Sequence, residues 1–130
     1  MVIQCSITNP SQINSVYFIQ LHQNTSTGFK TVVSIFKDQT PQIKWPAQGS
    51  SISETRASTV GSEINTPSSA TLKITIDKNN VVCPTDFTTY KCTLSGFSTV
   101  TSNAVTQETN PITVAYTGNY FIDHLHIFLS

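Results

Sequence analysis

Three histidines, three cysteines and seven acidic residues are among the side chains in this 130-residue chain that could perform chemistry. The densest group is Asp123-His124-Leu125-His126, which places two imidazoles on one face of an extended segment; with His22 as a third ligand it would be the start of a metal site. No second ligand motif supports it, so the expectation is no metal and no cofactor. The histidines lie far in sequence from every serine-containing motif, and no Gly-x-Ser-x-Gly is present, so nucleophilic catalysis lacks its parts. A glycine-rich phosphate loop and a paired-carboxylate motif are also missing, and the acids are scattered singly. The chain reads as a non-enzyme.

The bulk composition narrows the partners. Formal net charge is +0 and 11% of residues are charged, which leaves no basic field to gather nucleic acid. Hydrophobic residues reach 38% with seven Phe and four Tyr, enough to predict folding over disorder. No run of about 18 apolar residues exists, so membrane insertion by this chain is not expected. Met1 leads directly into Val2, Ile3, Gln4 and Cys5 without a charged-then-apolar leader, so the sequence as written carries no signal peptide.

The elements that would position any site are strands. The chain holds 36 Ser plus Thr, and Val, Ile and Thr recur in short runs bounded by Asn, Pro, Gly and Ser. Val2 to Ile7 alternates with Ile3, Cys5 and Ile7 on one face. Val16 to His22 follows, with Tyr17, Ile19 and Leu21 opposite Phe18, Gln20 and His22, a mixed second face able to meet a partner. Phe29 to Lys37 is a third strand. Gln48 to Ser69 is polar and reads as short edge strands and loops. Thr71 to Ile76 turns Leu72, Ile74 and Ile76 inward. Thr89 to Ser95 places Tyr90, Cys92 and Leu94 together, Gly96 opens a loop, and Ala104 to Tyr116 closes the sheet, with Pro111 marking an edge or bulge. Several short strands without βαβ alternation predict an all-β, antiparallel sandwich in one domain over residues 1–116, with 117–130 as tail or linker; Tyr120 to Leu129 there reads as linker, docking strand or non-native sequence.

Asp86-Phe87-Thr88-Thr89-Tyr90-Lys91-Cys92 resembles the Asp-x-Gly/Ala-x-Tyr-x-Cys motif that opens the sixth strand of immunoglobulin superfamily domains, matching three of four key positions. Arg56 before Ala57-Ser58-Thr59-Val60 and the later Leu72-Lys73-Ile74 follow in the order of variable-type members. The resemblance spans about Val2 to Tyr116 and implies a Greek-key immunoglobulin-like fold. In it Cys92 would bridge to Cys5, Tyr90 would form a tyrosine corner, and Asp86 would pair with Arg56. The usual third-strand tryptophan is absent, and Ile19 holds its place. Trp45 lies out of register and suits a surface or loop-anchoring role. A strand normally precedes the first cysteine, so the resemblance implies a fragment lacking it. Cys83 falls in an insertion and is the odd thiol, either partly buried and unpaired or bridged to another subunit.

The resemblance further implies a secreted or cell-surface recognition protein of adhesion or immunity, similar to invertebrate members such as the immunoglobulin part of fibrinogen-related lectins, with a protein or glycan ligand. Contacts would come from end loops (Gly96 to Asn103 including Phe97, Ser11 to Ser15, and the segment after Lys37) or from a sheet face carrying Phe18, Gln20, His22 and Phe36. Asn24-Thr25-Ser26 is the one usable glycosylation sequon, since Asn9-Pro10-Ser11 has proline in the middle. The alternative is a structural sandwich of an adhesin or fibre, with assembly through strand edges and no dedicated ligand site.

Overall fold

The computed structural model describes residues 1–114 and 124–129. Among the described residues ten strands run in order β1 (Val2–Ile7), β2 (Ser15–Thr25), β3 (Gly28–Phe36), β4 (Ile43–Lys44), β5 (Ala57–Ser58), β6 (Thr71–Ile76), β7 (Thr89–Ser98), β8 (Asn103–Glu108), β9 (Ile112–Thr113) and β10 (His124–Leu129). Two single turns of 3-10 helix, Pro10–Gln12 and Lys78–Asn80, are the only helical elements among the described residues. No helix there is long and apolar enough to cross a membrane.

The strands form two packed sheets. The smaller has the order β10-β1-β6-β5; the larger has the order β4-β3-β2-β7-β8, with β9 also on β7. Every pair is antiparallel except β1 with β10, which is parallel. Alternating side chains from both sheets meet in one core, where Ile3, Leu72, Ile74 and Ile127 of the smaller sheet face Ile19, Leu21, Ile35, Tyr90 and Leu94 of the larger. Each such aliphatic side chain contributes about 1.5–3 kcal/mol by leaving water. Ile19 is fully buried at the centre of this core. Trp45 is half-buried against the core.

A disulfide joins Cys5 to Cys92 through this core, with Cα atoms 6.1 Å apart, an arrangement that fits an immunoglobulin-like sandwich. At one end of the sandwich Asp86 is fully buried and receives both terminal nitrogens of Arg56, at 2.9 and 3.0 Å. Asp86 also accepts the Val82 amide at 2.7 Å. The Tyr90 hydroxyl donates to the Asp86 carbonyl at 2.8 Å and accepts from Gln23 Nε2 at 3.1 Å. Burial pushes the Tyr90 phenol far above its ordinary range, so it stays a neutral donor.

Several expectations are corrected. Simple alternation sets Tyr17 on the same face as Ile19 and Leu21, but a bulge between Val16 and Phe18 inserts a residue; Val16 turns in and Tyr17 stands 43% exposed. Gly96 does not open a loop. It lies inside β7, paired with Val16 and Val105, where an added Cβ would sit 2.4 Å from the Ser15 carbonyl oxygen. The hairpin beyond it is Thr99 to Ser102. Cys83 is free and exposed, not partly buried. The break at Pro111 separates β8 from β9, and the Thr109 hydroxyl bridges the gap by accepting the Cys92 amide at 2.9 Å. Within the segment expected to be tail or linker, His124–Leu129 is a strand of the smaller sheet; residues 117–123 and 130 lie outside the described residues, as do 115 and 116 of the expected closing strand.

Candidate functional site

Because Tyr90, Cys92 and Leu94 point into the core, Lys91, Thr93, Ser95 and Phe97 point out from the larger sheet. Past its bulge, β2 likewise sends Phe18, Gln20 and His22 outward. Antiparallel register then sets them in rows. Phe36, Phe18, Ser95 and Thr106 stand side by side; Gln20, Thr93 and Glu108 form the next row; Thr31, His22 and Lys91 form the third.

The first row carries an aromatic pair, Phe18 and Phe36, with ring centroids 5.6 Å apart and planes tilted by 52°. Both rings are half-buried. Beside them runs a directed chain of hydrogen bonds. Thr93 Oγ1 donates to Gln20 Oε1 at 3.3 Å, which leaves it to accept from His22 Nε2 at 3.0 Å. The unprotonated Nδ1 of the same ring then accepts the Thr31 hydroxyl at 3.1 Å. Burial, then repulsion from Lys91, holds the His22 imidazole below its ordinary pKa, with Glu108 opposing, so the ring is neutral in this chain of bonds.

Lys91 closes the third row. Its ammonium pairs with Glu108 and lies 4.3 Å over the Phe29 ring. The hydrogen bond from Lys91 keeps the Glu108 carboxyl below its ordinary range. The surface thus combines aromatic patches, a fixed amide and hydroxyl array, and one opposed charge pair. Such a face can hold an apolar or aromatic group beside oriented polar donors and acceptors.

Phe18, Gln20, His22, Phe36 and Phe97 therefore share one outer face. Phe97 stands at its far end opposite Ala104, and Asn103 is exposed at the hairpin opposite Ser98. The loop alternatives are tied to that same end: the Asn14 amide donates to the Phe97 carbonyl at 2.8 Å, and the Thr99 amide donates to Asn14 Oδ1. The segment after Lys37 begins where the Lys37 amide bonds the Tyr17 carbonyl at 2.9 Å. Alternation along a strand, once Cys92 is placed inward, is the signal that adds Lys91 and Thr93; Glu108 and Phe29 required the cross-strand register.

Asn24 is exposed at the end of β2, in a hairpin turned by Gly28 at φ 106°, a conformation suited to glycine. Next to it an open cleft of about 610 Å³ is lined by Gln23, Thr25, Lys30, Ser50, Phe87 and others. His124 and His126 stand on the outer face of the smaller sheet with rings 5.8 Å apart, whereas His22 lies on the outer face of the larger, so the sandwich separates them. No group of three metal-binding side chains comes together among the described residues. Compared with known proteins, the chain matches no family model, no curated protein and no solved structure.

Proposed function

We propose that this chain is a non-enzymatic recognition domain of immunoglobulin type, extracellular, binding a protein or glycan through the outer face of its larger sheet. The observation that carries the reading is the half-exposed Phe18–Phe36 pair beside the Thr31-His22-Thr93-Gln20 chain of hydrogen bonds. Rigid aromatic area next to preorganised polar groups lowers the entropic cost of binding, which is how small surfaces gain specificity. The Cys5–Cys92 bridge supports an oxidising compartment, and the exposed Asn24 sequon is compatible with a glycoprotein.

The test is a bivalent fusion of the domain screened against glycan and ectodomain panels, followed by variants on two surfaces. Phe18→Asp combined with Phe36→Asp is expected to abolish a binding signal that Val100→Asp in the hairpin leaves intact. The opposite pattern moves recognition to the loops and ends the sheet-face proposal.

A second reading, a structural sandwich of an adhesin or fibre, draws on the smaller sheet: among the described residues no strand pairs with the outer edge of β10.

A further inference from the structure

Asn24 and Thr25 end β2, and Ser26 and Thr27 make the turn to β3. Alternation from the buried Leu21 and Gln23 sends the Asn24 side chain outward, onto the face that carries His22, and there it is exposed. Among the described residues neither the Asn24 amide group nor the Ser26 hydroxyl has a hydrogen-bond partner. Thr25, between them, is the one that holds the turn, its Oγ1 donating to the Gly28 carbonyl at 2.7 Å.

Directly across the strand pair from Asn24 stands Phe29. Its ring is 38% exposed, and the Lys91 ammonium lies 4.3 Å from its centroid. Cross-strand partners hold their Cβ atoms about 4.5–5.5 Å apart. A sugar bonded to the Asn24 amide nitrogen therefore comes within reach of the Phe29 ring.

We infer that Asn24 carries an N-linked glycan whose first sugar packs its apolar face on Phe29. The inference deepens the extracellular part of the proposed function and rests on it. In the transfer, Asn24 Nδ2 bonds to C1 of the sugar of a polyprenyl-diphosphate-linked oligosaccharide. The C1–O bond breaks, the diphosphate leaves with the electron pair, and the amide nitrogen gives one proton to a base of the host transferase. The unengaged Ser26 hydroxyl is the other half of the acceptor signal that such an enzyme reads. A pyranose turns C–H groups to one side, and their positive edges suit the negative face of an aromatic ring, as the Lys91 ammonium does. The sugar also takes the exposed part of the Phe29 ring out of water.

The place of the glycan bears on recognition. Asn24 lies two residues beyond His22 and six beyond Phe18 on β2, about 7 Å and about 20 Å along the strand. The glycan bounds the outer face at its Phe29 end and leaves the Phe18–Phe36 end open to a ligand.

The experiment exports the full chain from cultured mammalian cells behind a cleavable leader, beside a Ser26→Ala variant. Peptide mass mapping after N-glycosidase treatment in heavy-oxygen water is expected to find Asn24 converted to labelled aspartate in most parent chains and in no Ser26→Ala chain. Trimmed to one N-acetylglucosamine, the protein is expected to melt about 2–4 °C above its glycan-free form. NMR should then show contacts from the sugar protons to the Phe29 ring. Phe29→Ala should remove the gain in melting temperature; where that variant does not fold, the contacts in the parent decide. An unoccupied Asn24 on exported protein overturns the inference, and so does a sugar without contact to Phe29, including one lodged against Phe87 or Lys30 in the adjacent cleft. The leader makes this outcome independent of where the native chain resides. Recognition is scored on glycan-free protein from bacteria, so a failure of the proposed function is read separately.

Discussion

Arg56 and Asp86 meet fork to fork, Arg56 donating through one terminal nitrogen to Oδ2 at 2.9 Å and through the other to Oδ1 at 3.0 Å. The carboxylate has no exposed surface, while the guanidinium side chain keeps 19% of its own. Arg56 also donates to the Ser51 and Asn80 carbonyls, so one side chain ties three loops to the floor of the sandwich. The carboxylate hydrogen bond and its charge raise the guanidinium pKa, the largest cause being the bond itself.

Arg56→Ala strands a buried carboxylate, and removal of one partner from such a pair costs about 3–5 kcal/mol. Urea unfolding followed by tryptophan fluorescence is expected to show that loss. Arg56→Lys should recover only part of it, because a single ammonium cannot reproduce the planar fork. A midpoint unchanged in Arg56→Ala contradicts the assignment.

The Cys5–Cys92 bridge spans a sequence separation of 87 residues. Closing a loop of that size removes about 4–5 kcal/mol of unfolded-state entropy in the chain-entropy account, and measured losses for native bridges run about 2–5 kcal/mol. Replacing both cysteines by alanine is expected to lower stability by that amount while leaving the strand signature in circular dichroism. Peptide mapping without reduction should return Cys5 linked to Cys92 and Cys83 free.

His22 gives the fold a pH dependence. Its folded pKa lies below the ordinary 6.5, through burial first and Lys91 second, so the unfolded chain takes up the proton more readily. Stability from this group is complete above pH 6.5 and is lost as pH falls from there through the folded pKa. His126 acts in the same direction, through burial and then His124. The melting temperature is expected to fall between about pH 7.5 and about pH 5.5, and His22→Gln should flatten the fall. An NMR titration midpoint for His22 above 6.5 would reverse the sign.

Gly96→Ala places a methyl group 2.4 Å from a backbone oxygen of β2, which no side-chain rotation relieves. Overpacking of this kind costs about 1–3 kcal/mol. The variant should unfold at lower denaturant, and amide exchange should quicken around Ser15 and Val105. Stability equal to the parent would mean that β2 and β7 are not so closely apposed.

The candidate site was partly legible. Alternation in β2 was enough to set Phe18, Gln20 and His22 on a common side, and the same rule applied to β7 yields Lys91 and Thr93. It failed at Tyr17, because a bulge is a property of two paired strands and leaves no mark in either alone. Glu108 and Phe29 reach the face only through register with β7 and β2, which one-dimensional spacing does not contain.

The sequence by itself, through the resemblance of Asp86–Cys92 to the immunoglobulin sixth-strand motif, pointed to the joints of this protein: Cys5 bridged to Cys92, and Asp86, Tyr90 and Arg56 around one buried corner. Those positions depend on side chains whose chemistry demands a particular partner, so residue type and order carry the information. Tertiary structure decided the rest: the place of β10 beside β1, the close approach at Gly96, and the alignment of His22 between two threonines. Main-chain hydrogen bonds make those choices, and since every residue but proline offers the same donor and acceptor, only the assembled sheets reveal which edges meet.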